Sequence, residues 1–230
     1  MNHKYTEHAN NSSIRELLMK LADQQLNSDD YGRTLFEIGL HFGEILVKEV
    51  RGKSVYLVCT TEDADFLAKG IIDKFNANSV PFAMACYWNV RSKPFANLGL
   101  STAPVIKKYE EPDYSKDVLV VLKSIISGGC VVKYNILNII QKVNPEKIMI
   151  VAPVMFHLAE GELINDFLPE VSRKFKFITL AIDKDRDEVG NVIPGIGGNV
   201  YKRLGFKDQE DKNKNIPKLV SQRRQKYAQA

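Results

Sequence analysis

The sequence predicts an α/β protein, a twisted and mainly parallel β-sheet with helices on both faces. Three observations predict it. Short apolar runs rich in β-branched and aromatic residues recur five times, at SVYLVCTT (54–61), VPFAMACYW (80–88), DVLVVL (117–122), KIMIVAPVMF (147–156) and KFITLAID (176–183). Unbroken apolar runs of this length are the pattern of strands buried on both faces. Between the runs, apolar residues fall at the three-and-four spacing of amphipathic helices. Strands that alternate with helices form a parallel sheet, because each crossover carries the chain back across one face.

Taken in order, MNHKYTEHANNSS (1–13) is polar and reads as a loose, disordered tail. Ser12 or Ser13 can cap a first helix that carries Leu17, Leu18 and Leu21 on one side. A second helix begins near Tyr31, with Leu35, Ile38, Phe42, Ile45 and Leu46 at helical spacing. After the first strand, EDADFLAKGIIDKFNAN reads as a helix with acids at its start and Phe66, Ile71 and Phe75 on one side. The stretch from Asn89 to Pro112, with its prolines, Gly99 and Tyr109, reads as an irregular arm or hairpin. The third strand passes through a Gly-Gly turn into VVKYNILNIIQKV (131–143), and the fourth is followed by EGELINDFLPEVSRKF (160–175). The fifth leads into a glycine-rich loop, VGNVIPGIGGN (189–199), and NIPKLVSQRRQKYAQA (215–230) reads as a basic helical tail. The predicted organisation is a tail over 1–13, one domain over 14–206 and a basic tail over 207–230.

A chain of 230 residues can bury one good core and a small appendage. A formal net charge of +4 is too mild to imply nucleic acid by itself. Cys59, Cys86 and Cys130 show no close pairing and lie in or beside apolar runs, which predicts buried free thiols in a reducing cytoplasm. No apolar stretch approaches the ~20 residues of a membrane span. The N-terminus lacks the apolar core of a signal peptide.

Ligands of parallel sheets bind at the C-terminal ends of the strands, so the loops after Cys59, Val121 and Asp183 are the functional candidates. In one of them, Ser127, Gly128, Gly129 and Cys130 connect a strand to a helix N-terminus. Glycines let backbone N–H groups converge, and the helix start adds partial positive charge, so the turn can cradle an anion. It equally suits a tight connection that binds nothing, and it lacks the Gly-Lys-Ser/Thr ending of a Walker loop. Glu62, Asp63 and Asp65 at a helix start favour the helix dipole, with a cation site as the functional alternative. No His/Cys spacing suggests a metal, and no residue is assigned a catalytic role. The tail residues Lys214, Lys218, Arg223, Arg224 and Lys226 suit either plain solvation or contact with nucleic acid or a protein partner.

DVLVVLKSIISGGCVV resembles the phosphoribosyl-pyrophosphate (PRPP) loop of type I phosphoribosyltransferases. AIDKDRDEVGNVIPGIGGNVYKRLGF is similar to the uracil-binding segment of uracil phosphoribosyltransferases, with Ile182-Asp183, Gly190, Pro194-Gly195-Ile196-Gly197 and Gly205 in step. GRTLFEIGLHFGEIL resembles that family's early helix, and the likeness runs from about Tyr31 to Phe206. The resemblance implies a phosphoribosyltransferase-like fold with a small C-terminal hood, and a homodimer. It implies phosphate binding at Ser124 and Ser127 to Cys130, and a nucleobase edge at Val192, Gly197, Gly198 and Asn199. A remnant of the pyrophosphate loop would lie at Thr61, Glu62 and Asp63. Mg²⁺ would enter only with PRPP, and no other cofactor is implied.

The departures from that family are systematic. Leu122-Lys123-Ser124 stands where the family's phosphoribosyl loop opens with an acid, and Thr61-Glu62-Asp63 where its pyrophosphate loop carries Arg-Ala-Gly. Trp88 follows Tyr87 where an arginine is usual, with Arg91 nearby. Gly198 replaces an acid and Asn191 a tyrosine. Together the changes remove charge that the family uses to hold PRPP and its metal, which catalysis by electrostatic positioning depends on. The sequence leaves three readings: a catalytically weak or silent nucleotide- or phosphate-binding relative, an active nucleobase phosphoribosyltransferase of pyrimidine salvage, and a nucleic-acid- or partner-binding regulator.

Overall fold

A computed structural model of the chain describes residues 3–95, 100–187, 192–193 and 200–228. The chain opens with β1 (His3–Tyr5), a 3-10 turn (Glu7–Ala9), α1 (Ser12–Ala22) and α2 (Ser28–Glu49). Next come β2 (Val55–Thr60), α3 (Thr61–Asp63), a π-helical turn (Ala64–Ala68), α4 (Lys69–Ala77) and β3 (Phe82–Asn89). An arm of β4 (Ser92–Phe95) and β5 (Leu100–Thr102) precedes β6 (Val105–Glu110). The second half holds β7 (Val118–Leu122), β8 (Ile125–Ile126), α5 (Cys130–Val143), β9 (Lys147–Phe156), α6 (Ala159–Asn165), α7 (Pro169–Ser172) and β10 (Phe175–Asp183). It ends with β11 (Asp185–Arg186), β12 (Val192–Ile193), α8 (Val200–Arg203), α9 (Gln209–Lys214) and α10 (Lys218–Ala228).

The sheet runs in the order β1-β10-β9-β7-β2-β3-β6, with β8 added to β9. All five predicted strands are present, and they pair parallel to one another. Only the edge strands β1 and β6 run antiparallel. The step from β2 to β3 goes one way along the sheet, and those from β7 to β9 to β10 go the other. With right-handed crossovers, α4 therefore lies on one face, and α5 and α6 lie on the other. Every residue of β2 and β7 is buried, as unbroken apolar runs require. On the α4 face, α2 approaches so closely that a Cβ on Gly39 would lie 2.3 Å from the Leu67 carbonyl oxygen. One on Gly70 would lie 2.4 Å from that of Phe36, so neither position admits a side chain.

Three expectations are corrected. The N-terminal residues are not a loose tail: His3, Lys4 and Tyr5 pair with Asp183, Ile182 and Ala181, and Ala9 is fully buried. Backbone pairing at a sheet edge needs no apolar side chain, so a polar sequence hides it. The cap of α1 is Asn11, whose side chain accepts from the Ser13 N–H, and neither serine fills that role. The C-terminal tail is helical but not merely solvated, since Leu219 and Val220 join the core and Arg223 makes an internal ion pair. The arm from Asn89 to Pro112 also contributes β6 to the sheet edge, beyond the predicted hairpin. Among the described residues, no helix is long and apolar enough to cross a membrane.

Candidate functional site

The strand order reverses between β2 and β7, and the crevice beyond the C-terminal ends of two such strands is where open α/β sheets bind ligands. Here that crevice holds a buried set of charges. Lys123, just past β7, reaches across to the turn after β2, with Nζ 2.7 Å from Asp63 Oδ2 and 3.3 Å from Glu62 Oε1. The same ammonium donates to Ser124 Oγ at 3.0 Å, and the Thr60 hydroxyl donates to Asp63 Oδ2 at 2.7 Å. Lys212 comes from α9 to lie 3.4 Å from Glu62 Oε2 and donates to the Asn89 carbonyl at 3.3 Å. Asp63 and Ser124 are fully buried, and Lys212 is 3% exposed.

Two carboxylates and two ammonium groups thus neutralise each other inside the protein. Burial pushes the Glu62 carboxyl up, but Lys123 and Lys212 together outweigh it and hold it down at about 2. Burial acts to lower Lys123, and the carboxylates of Asp63 and Glu62 reverse that and raise it. A divalent cation would have to displace Lys123 from Asp63, so these residues do not fit the Mg²⁺ that PRPP chemistry uses. Three atoms here, Thr61 Oγ1, Glu62 Oε2 and Asp63 Oδ1, are buried without a hydrogen-bond partner among the described residues.

The second candidate lies one loop further on. Gly129 precedes α5 with φ 68°, the left-handed region, and a Cβ there would lie 2.6 Å from Leu163 Cγ. The N-cap position of α5 is Gly129, which has no side chain to cap the helix. Arg186 of β11 donates to the Ser127 carbonyl and lies 3.7 Å from Glu162 Oε2. Its guanidinium carbon sits 3.5 Å from the centre of the Phe156 ring. Cys130 Sγ donates to the Ser101 carbonyl at 3.2 Å, and burial pushes its thiol up, away from the reactive thiolate.

The predicted site residues therefore fall into two groups. Thr61, Glu62, Asp63 and Ser124 meet in the charged crevice, where the Ser124 hydroxyl accepts from Lys123. Ser127, Gly128, Gly129 and Cys130 surround the start of α5. Val192 is buried on β12, in register with Arg186, which ties that hairpin to the glycine loop. Gly197, Gly198 and Asn199 lie outside the described residues. Trp88 is buried, and its indole N–H donates to the Asn215 carbonyl at 2.8 Å, while Arg91 bonds Gln209 through its backbone. Sequence reasoning missed Arg186 and Lys212. Arg186 sits in a run of alternating charge, and Lys212 lies far beyond Asp183, the end of the last predicted strand, so neither carries a local signal.

No protein-family model and no curated protein matches the sequence. Among solved structures, the AQ2163 protein from Aquifex aeolicus superposes with a TM-score of 0.67 at 13% identity, over 84% of this chain and 93% of that one. A hypoxanthine phosphoribosyltransferase from Staphylococcus aureus matches at 16% identity and a TM-score of 0.42, over 77% of this chain and 84% of its own. An adenine phosphoribosyltransferase from Thermoanaerobacter pseudethanolicus gives 11% identity and a TM-score of 0.42, over 74% and 98%. The first likeness establishes a shared fold, and matches as loose as the other two say nothing of activity.

Proposed function

We propose that this chain is a uracil phosphoribosyltransferase-like protein that no longer transfers phosphoribose and instead binds a nucleotide through its phosphate. One observation carries the reading: the buried ion pair of Lys123 with Asp63, at 2.7 Å, fills the crevice in which PRPP and its metal would have to react. The glycine loop supports what is kept. The uncapped start of α5 suits a phosphate monoester, and Arg186 can exchange Glu162 for that phosphate while keeping its stack on Phe156. The base would meet Val192, Gly197, Gly198 and Asn199, as the resemblance implies. On the same reading the protein is a cytoplasmic homodimer, which light scattering on the purified chain tests. The nucleic-acid reading is the weaker one, because Lys212 and Arg223 of the basic tail are spent on Glu62 and Glu111 inside the protein.

Thermal melting with Mg²⁺ and, separately, PRPP, UMP, UTP and uracil tests the proposal. A ligand at ~100 times its Kd adds ~2.7 kcal/mol, which is several degrees for a chain of this size. The expected result is a shift with UMP or UTP that Arg186→Ala abolishes, and no UMP formed from uracil and PRPP. Turnover of PRPP overturns the silent-enzyme part, and no shift with any nucleotide overturns the binding part.

A further inference from the structure

The last described segment, residues 207–228, lies over the C-terminal ends of β2 and β3. Its contacts form a continuous seam. Lys212 faces Glu62 and bonds the Asn89 carbonyl, and Asn213 bonds the same carbonyl at 3.4 Å. Gln209 exchanges hydrogen bonds with the Arg91 backbone, and Asn215 accepts from Trp88. Both oxygens of the Asp65 carboxylate accept from the first N–H groups of α10, Lys218 N at 3.0 Å and Leu219 N at 2.8 Å. Arg223 then grips the fully buried Glu111 with two bonds, at 2.6 and 2.7 Å.

The match is electrostatic. Residues 207–228 carry seven basic and three acidic side chains, a surplus equal to the net charge of +4 of the whole chain. The surfaces they meet offer Glu62, Asp65 and Glu111. Apolar anchoring is sparse, since among the described residues of the segment only Leu219 and Val220 are buried hydrophobics. Along the seam, Asn89 Oδ1 and Asn213 Oδ1 are buried and accept no hydrogen bond from the described residues. Opening the seam would return such atoms to water, where their desolvation cost vanishes. The charged pairs would be rehydrated as well, and buried pairs add little net stability over their hydrated state.

We propose that residues 207–228 form an intramolecular strap, a basic segment docked on an acidic receptor surface, which opens as a unit while the sheet stays folded. Closed, it supplies Lys212 as a tethered cation and covers the strand-end crevice. Open, it uncovers Glu62, Asn89 and Trp88, so the chain's own C-terminal segment governs access to that crevice. The inference needs no ligand and stands apart from the phosphate reading.

Native-state hydrogen exchange on the full chain tests it, with acrylamide quenching of Trp88, the single tryptophan, as a second readout. The amides of α9 and α10 are expected to exchange together, at least about tenfold faster than those of β2 and β7. Asp65→Ala removes the acceptor at the start of α10 and is expected to speed strap exchange about fivefold and raise Trp88 quenching, with β2 and β7 unchanged. Strap and β2 amides exchanging at one common rate would overturn the proposal. So would fraying confined to the last turn of α10 with α9 as slow as β2. Should Asp65→Ala fail to fold, the comparison within the unaltered chain decides alone.

Discussion

Replacing Lys123 with methionine keeps the length and apolar body of the side chain and deletes its ammonium. Asp63 is fully buried and Glu62 is 9% exposed, so the variant holds carboxylates that water cannot reach. Breaking a buried ion pair by removing one partner costs about 3–5 kcal/mol. The lower end applies here, because the Thr60 hydroxyl still donates to Asp63 and Lys212 still faces Glu62. A cost of about 3 kcal/mol lowers Tm by roughly 6–12 °C in a domain of this size. The loss also depends on pH. Lys123 helps hold the Glu62 carboxyl at about 2, below its ordinary 4.5, so Glu62 stabilises the unaltered protein fully above pH 4.5 and ceases to as pH falls through 2. The variant gives up part of that contribution, so its deficit is largest at pH 7 and shrinks toward pH 3. Urea denaturation followed by circular dichroism at both pH values measures it. A deficit under about 1 kcal/mol at pH 7, or one of equal size at pH 3, would refute the assignment of a buried, charged pair. Adding Asp63→Leu should recover part of the loss, because an apolar pair of similar volume often replaces a buried ion pair at little cost.

Other outcomes follow from the same geometry. Acid titration of the unaltered protein should remove roughly 3 kcal/mol of stability through Glu62 between pH 4.5 and 2, and a flat urea midpoint over that range would contradict it. Gly129→Ala puts a Cβ on a residue at φ 68° and 2.6 Å from Leu163 Cγ, so it should cost at least about 2 kcal/mol and weaken nucleotide binding. A variant that melts with the parent and binds equally well would show that the turn relaxes. Arg223→Met leaves the fully buried Glu111 with the Met84 N–H and the Tyr109 hydroxyl but without its cation. A loss of up to about 3 kcal/mol is expected in what holds the strap closed, read by faster exchange of the α10 amides.

The five central strands and the helices between them were legible because apolar runs and helical periodicity are local properties of the chain. The placement of Thr61, Glu62 and Asp63 at a strand end was legible for the same reason. What those acids do was not. Their partners Lys123 and Lys212 lie about sixty and one hundred and fifty positions away, and only the strand order brings them together. The basic tail misled for a related reason: Arg223 looks like surface charge until Glu111 is placed opposite it. β1 was missed because a three-residue strand, His3-Lys4-Tyr5, is too short to show an apolar run or an alternation.

The pairing of β1 with β10 has a consequence for how the chain is made. His3 meets Asp183, so the first strand emerges from the ribosome about one hundred and eighty residues before its partner exists. Through most of synthesis those residues have no sheet edge to join. They dock only after β9 and β10 have formed, and a contact so distant in sequence is the kind that slows folding. The outer edge of β10 is meanwhile uncovered, the state in which a nascent sheet is most exposed to pairing with a neighbouring chain. A bulky fusion placed directly before His3 would hinder that docking and leave the β10 edge open for longer, so production of the protein should suffer more from it than its finished fold suggests.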